Sequence, residues 1–308
     1  MKNNKLGNIS ASPAGIFLII LLIAGLVFAA VKLIGFIREI KQYNNGQYAR
    51  ITHKTYWDMR TDAGSLGEFM VYKTLLSHEA NGAKFLFNLY IPAYDGKTTE
   101  IDVLMITDSG VFVFESKNYS GWIFGNESNR YWTVTLPSGK GESQKERFYN
   151  PIMQNRTHIK YLKKLVGEVP VWSVIAFSER CTLKDITVTS PDVWVVNRPE
   201  ITNIVNARLA EAPQGTVNVD AVYALLYPYS QVSEEEKAQH IDDILEEHPD
   251  AGAPSGTAVG QRAANDAVCP LCGGKLVLRT VKRGENAGNK FYGCSNYPKC
   301  RYTKSIGD

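Results

Sequence analysis

Glu100-Ile101-Asp102-Val103-Leu104-Met105-Ile106-Thr107-Asp108-Ser109-Gly110-Val111-Phe112-Val113-Phe114-Glu115-Ser116-Lys117 decides how the chain folds. Two apolar runs flank Asp108-Ser109-Gly110, a turn signal, so the stretch predicts neighbouring strands over 99–106 and 111–117. Strands this apolar are usually buried on both faces. Acids at their ends cost several kcal/mol to desolvate unless a cation or hydrogen bonds compensate. Glu115 and Lys117 alternate with Ser116 and therefore share one face. Glu-x-Lys alone says little, because it recurs at Glu39–Lys41 and Glu235–Lys237. A two-residue loop pairs Thr107 with Gly110 and sets Asp102 opposite Glu115. A three-residue loop with a bulge at Gly110 turns the two acids to opposite faces, and the sequence leaves both registers open. A hard divalent ion such as Mg²⁺ satisfies paired carboxylates, and an ordinary acid–lysine ion pair is the competing reading.

Working outward, Leu66, Phe69, Met70, Tyr72, Leu75 and Leu76 give a helix an apolar face, and 84–91 reads as a further strand. Gly121–Gly125 and Tyr131–Leu136 read as a short hairpin. Asn150-Pro151 opens a second helix with a cap residue and Pro at its first position, and Gly167 stops it. Runs at 171–177 and 193–196 are again strand-like. Helix, three strands, helix, strand indicates an α/β fold around a mixed sheet. On the second helix Gln154, His158 and Tyr161 form a polar stripe at i, i+4 and i+7, in which His158 reads as a surface residue. Trp122, Trp132 and Trp172 read as core, and Cys181 as a packed thiol.

The ends differ in character. The chain has 308 residues, 34 basic and 31 acidic, which excludes a uniformly basic protein. From Lys5 to Lys32 no residue is charged, and the apolar run 14–31 makes about 27 Å of helix, close to a hydrocarbon core of about 30 Å. A cleaved signal peptide is the alternative, but the run exceeds the usual ~7–15 residues. Lys/Arg flanking the span favours a single-pass cell-membrane protein with its C-terminal domains in the cytoplasm. Residues 233–247 read as an acidic helix with a Ser233/Glu236 capping box, and 250–267 turn to linker composition. Cys269-Pro270-Leu271-Cys272 followed by Cys294 and Cys300 has the spacing of a structural Zn²⁺ site. The expected order is an anchor (1–37), a polar juxtamembrane connector (38–60), an α/β domain (61–230), a separate acidic helix (231–248), a linker (249–266) and a zinc ribbon (267–308).

Gly64-Ser65-Leu66-Gly67-Glu68, Glu100-Ile101-Asp102, the run 110–121 and Asn150-Pro151-Ile152-Met153-Gln154-Asn155 resemble the nuclease-related domain, of the PD-(D/E)xK nuclease-like group. The resemblance implies that fold and cleavage of DNA. It implies Asp102 and Glu115 as ligands of catalytic Mg²⁺ or Mn²⁺, Lys117 beside the attacking water, and Glu68 and Gln154 as further site residues. Ile101 stands where the group's name has proline. Ser65-Leu66-Gly67-Glu68 also reads as a capping box, a structural role for Glu68. The cysteine segment resembles the four-cysteine zinc fingers of bacterial type IA topoisomerases, which bind single-stranded DNA. Lys290, Phe291, Tyr292, Tyr297, Lys299, Arg301 and Tyr302 suit that role as stacking rings interleaved with cations. A nucleic-acid-binding membrane protein with a non-catalytic scaffold domain is the alternative.

Overall fold

The computed structural model describes residues 13–137, 143–247, 276–280, 290–294 and 303–305. Helix α1 (Pro13–Asn45) carries the apolar run, and Ile20–Asn45 is long and apolar enough to cross a membrane. Short helices α2 (Gln47–Thr52) and α3 (Tyr56–Thr61) follow, then α4 (Ala63–Thr74) and α5 (Leu76–Ala80). The predicted polar connector over 38–60 is instead part of the core. Tyr43, Tyr48, Ile51, Tyr56 and Met59 are buried, and the Tyr43 ring packs on Phe69 at 5.1 Å and Tyr56 at 5.6 Å. Tyr43 donates its hydroxyl to the Lys54 carbonyl at 2.8 Å while its ring is enclosed.

The decisive stretch forms an antiparallel meander: β1 (Lys84–Pro92), β2 (Thr98–Ile106) and β3 (Val111–Lys117). The turn is the two-residue form, closed by the Thr107 amide on the Gly110 carbonyl at 2.9 Å. Val103 pairs with Phe114, and the same register carries Asp102 opposite Glu115. A second sheet grows from β4 (Gly121–Asn126), β5 (Tyr131–Pro137) and β6 (Ser143–Tyr149). Helix α6 (Pro151–Val166) has Asn150 as its cap and Gly167 past its end, and crosses over to β7 (Val171–Phe177), which lies parallel to β3. Strand β8 (Cys181–Thr187) joins the second sheet and β9 (Val193–Asn197) completes the first. The orders are β1-β2-β3-β7-β9 and β6-β5-β4-β8.

Helices α7 (Ile201–Glu211) and α8 (Val219–Leu226) follow, then the acidic α9 (Glu234–Glu247) with its capping box formed in both directions. Far from standing apart, α9 docks through His240, buried against the Tyr90 ring at 5.2 Å and bonded to Thr98. Trp132 and Trp172 are buried as expected, as is Cys181. Trp122 is not: it is 52% exposed, on the face of β4 opposite the buried Ile123. A three-stranded antiparallel sheet, β10 (Leu276–Thr280), β11 (Lys290–Cys294) and β12 (Thr303–Ser305), lies in the C-terminal segment. The linker, Cys269, Cys272, Cys300, Tyr297, Lys299, Arg301 and Tyr302 lie outside the described residues.

Candidate active site

The register at the β2–β3 turn brings the acids together. Asp102 accepts the Ser116 amide on Oδ2 at 2.8 Å, tying it across the ladder to the residue between Glu115 and Lys117. Lys117 Nζ meets Glu115 Oε1 at 2.6 Å and the Gln154 side-chain oxygen at 3.1 Å, so strand β3 and helix α6 converge on one ammonium. Asn155, next to Gln154, bonds the Val113 carbonyl and Ser173, which fixes α6 on the sheet. Helix α4 approaches from the other side, and a Cβ at Gly67 would lie 2.8 Å from Ser116 Oγ. Only glycine lets α4 come this close.

That approach delivers Glu68, which is buried and accepts from Tyr48 at 2.9 Å and from Asn88 at 3.4 Å. The capping-box reading fails here, because the helix is capped by Asp62, whose carboxylate accepts the Ser65 amide at 2.7 Å. Asn88 reaches Glu68 from a left-handed backbone conformation, φ 51°, inside β1. It also reaches Glu100, which accepts from the Tyr90 hydroxyl at 2.7 Å.

The histidine that resembled a surface residue is 5% exposed. His158 Nε2 lies 3.2 Å from Glu115 Oε2, and its Nδ1 lies 2.6 Å from Thr99 Oγ1. The sequence signal for it was its place one turn beyond Gln154; what was missing was β2 passing over that turn.

Asp102, Glu115 and Glu68 lie close enough for their protonation to be linked, with Lys117 beside Glu115 and Lys54 acting on Glu68. Burial works against the Glu115 charge, but Lys117 and the His158 bond outweigh it and hold this carboxyl below the usual range. Asp102 goes the other way: burial, then the charges of Glu115 and Glu68, push it well above its ordinary value. Burial, opposed by Lys54, raises Glu68 to about 7. Burial disfavours the Lys117 charge, but the Glu115 carboxylate overrides it and keeps the ammonium protonated. The cluster thus holds three carboxyl groups, of which the Glu115 carboxylate is balanced by Lys117 while Asp102 and Glu68 favour their protonated forms. One further oxygen, Asn88 Oδ1, is buried without a donor. Hard oxygen donors that would release their protons to a cation fit a divalent ion such as Mg²⁺, which binds through one or two carboxylates and waters. No group of three or more His, Cys, Asp or Glu among the described residues is arranged to hold a metal.

In the C-terminal segment, Leu276 pairs with Cys294. Residue 276 follows Cys272 by four positions in the sequence.

Residues 63–178 match the nuclease-related domain, and residues 266–308 match the topoisomerase DNA binding C4 zinc finger. An uncharacterized protein of Bacillus anthracis is 36% identical over 134 residues, 43% of this chain and 61% of that one. DNA topoisomerase 1 of Methanocaldococcus jannaschii is 54% identical over 41 residues, 13% of this chain and 5% of that one. DNA topoisomerase 1 of Archaeoglobus fulgidus is 57% identical over 35 residues, 11% of this chain and 5% of that one. No solved structure matches the chain. The chain therefore joins a nuclease-related domain to a topoisomerase-type C4 zinc ribbon.

Proposed function

We propose that this protein is a membrane-anchored, divalent-metal-dependent nuclease that hydrolyses DNA and holds single strands on its zinc ribbon. The observation that carries the reading is the convergence of Asp102, Glu115, Lys117 and Gln154 from two adjacent strands and one helix. Asp102 and Glu115 would hold Mg²⁺ or Mn²⁺, with Glu68 adding negative charge beside them. The bound ion supplies Lewis-acid polarisation of the phosphoryl oxygen and a more acidic water. Lys117, steered by Gln154, donates to the oxygen on which negative charge develops. His158, braced by Thr99, fixes the Glu115 carboxylate in place. In the ribbon Cys269, Cys272, Cys294 and Cys300 would hold Zn²⁺, which stabilises a module with little core of its own. Phe291, Tyr292, Tyr297 and Tyr302 would stack on bases and Lys290, Lys299 and Arg301 would meet phosphates.

Retention of α1 as a single-pass anchor is supported by its course, and a cytoplasmic side for the following domains by the Lys and Arg that flank it. The helix continues past Ala29-Ala30 to Asn45, with Tyr43 of its last turn in the core. A second reading, nucleic-acid binding without catalysis, is favoured by one observation: both Glu115 oxygens are already engaged, by Lys117 and by His158. Incubating the full-length protein with single- and double-stranded DNA, with Mg²⁺, Mn²⁺ or EDTA, separates the readings. Metal-dependent cleavage that Asp102→Asn removes supports the nuclease; binding without turnover supports the scaffold.

A further inference from the structure

We propose that the outer face of the second sheet is a binding site for single-stranded nucleic acid, with Trp122 and Tyr131 as stacking surfaces and Lys145, Arg147 and Lys184 as phosphate contacts. The inference deepens the DNA reading above but requires no cleavage.

The registers define the face. Trp122 pairs with Thr135 and Thr135 with Lys145; Phe124 pairs with Thr133 and Thr133 with Arg147. Directly paired residues point to the same side of a sheet. The opposite side, carrying Ile123, Trp132 and Val134, is packed into the core, so the Trp122 side is the one away from it. Gly125 confirms the sidedness, since a Cβ there would meet the buried Trp132 ring at 2.1 Å.

On this side Trp122 is 52% exposed with Lys184 Nζ 5.6 Å from its ring centre. Tyr131 has the Arg147 guanidinium at 4.9 Å and that of Arg130 at 5.6 Å. Arg130, Lys145, Arg147 and Lys184 are exposed, against one acid of the same rows, Asp185, which pairs with Phe124. A large ring left open to water on a regular strand, with cations resting on it, suits an anionic partner that carries flat apolar groups of its own. Single-stranded nucleic acid has both. A base can take the place of the cation over the ring, and the freed ammonium or guanidinium then meets a phosphate. Duplex DNA hides its base faces and gains only the charge contacts. Strand β4 begins four residues after Lys117, so its first Cα lies within about 14 Å of that of Lys117. A strand held on the sheet therefore runs close to the acid cluster.

All five tryptophans, at 57, 122, 132, 172 and 194, lie outside the ribbon, so tryptophan emission reads the domain while the ribbon stays dark. The full-length protein in EDTA is titrated with oligo(dT) and, separately, oligo(U). Saturable quenching by either is expected, the stronger of the two identifying the preferred sugar, with a weaker response to duplex. Trp122→Phe should remove most of the quenching with little loss of affinity by anisotropy, and Trp122→Ala should weaken this site about five- to tenfold. Lys145→Gln with Arg147→Gln should lower the salt slope by about 1–2. Quenching that survives in the folded Trp122→Phe protein overturns the proposal. So does an oligomer that binds, by anisotropy, without quenching. Neither result depends on whether the acid cluster cleaves DNA.

Discussion

Glu115 and Glu127 are both buried acids paired with a cation and both held below the usual carboxylate range, yet their surroundings differ. Glu127, at the β4–β5 turn, accepts from Arg156, from the Ser190 hydroxyl, and from the amides of Thr189 and Ser190. Those donors, Ser190 first, hold its carboxyl far below the ordinary range. Its negative charge is fully answered, and the bonds lock the turn to α6 and to the loop after β8. Glu115 also has two donors, Lys117 and His158, but its charge and that of Glu68 push the neighbouring Asp102 well above its ordinary value. The first network is complete and holds the fold together. The second is crowded with acids by the same meander that assembles it, so that Asp102 and Glu68 favour protons that a bound cation would displace.

The sharpest way to break this contrast is to exchange the two sites' roles by mutation. Asp102→Asn and Lys117→Ala should each lower metal-dependent cleavage by about a thousandfold, about 4 kcal/mol of barrier. Glu127→Ala should leave the cleavage rate within about twofold at temperatures where the protein is folded. Equal losses in gel-based cleavage assays would erase the distinction.

A second comparison uses stability in EDTA. Glu68 titrates at about 7, above its ordinary 4.5, so folding favours its protonated form. Its stabilising contribution is full below pH 4.5 and is lost as the pH rises through about 7. Glu68→Gln should therefore gain stability over the parent at pH 8, by up to about 3 kcal/mol, and little at pH 4.5. Thermal melts at the two pH values read the difference, and a pH-independent gap would show that the buried charge is not the cause.

Glu127 has the opposite sign. Its contribution is present above its ordinary value of 4.5 and fades as the pH falls below it. Glu127→Ala should cost about 2 kcal/mol at pH 7, through lost bonds to a charged group. The smallest effect belongs to Gln154→Ala. It removes a guide for Lys117 and should slow cleavage about fivefold while leaving the melting temperature within about a degree.

Much of this was written in local sequence. Asn150-Pro151 and Gly167 marked α6 to the residue, because cap chemistry is local. The Asp102–Glu115 juxtaposition needed one fact the residues withhold, the length of the turn, since Gly110 suits either loop. His158 was invisible as a site residue for a non-local reason. Its burial is created by Thr99 and Glu115, which lie 59 and 43 positions away in the chain. Trp122 misled for the same kind of reason: alternation gives two faces to a strand but does not say which one another layer will cover. Residues 38–60 looked like a tether because Gly46 and His53-Lys54 break their apolar spacing. Each break turned out to separate two helices that both pack inward.

The absence of that tether has a mechanical consequence. Phe36, near the end of the apolar stretch, touches Tyr56 at 5.9 Å and Trp57 at 6.0 Å between ring centres. Seven residues on, about 10 Å along the same helix, Tyr43 is in the core. A shaft shared by span and domain has no hinge, so in a bilayer any tilt of the span is a tilt of the acid cluster. Trp57, 61% exposed beside Phe36, would ride at the level of the lipid headgroups. Under the proposed function the protein would work as a fixed blade rather than a lure on a line, and DNA would be cut only where it comes to the membrane surface.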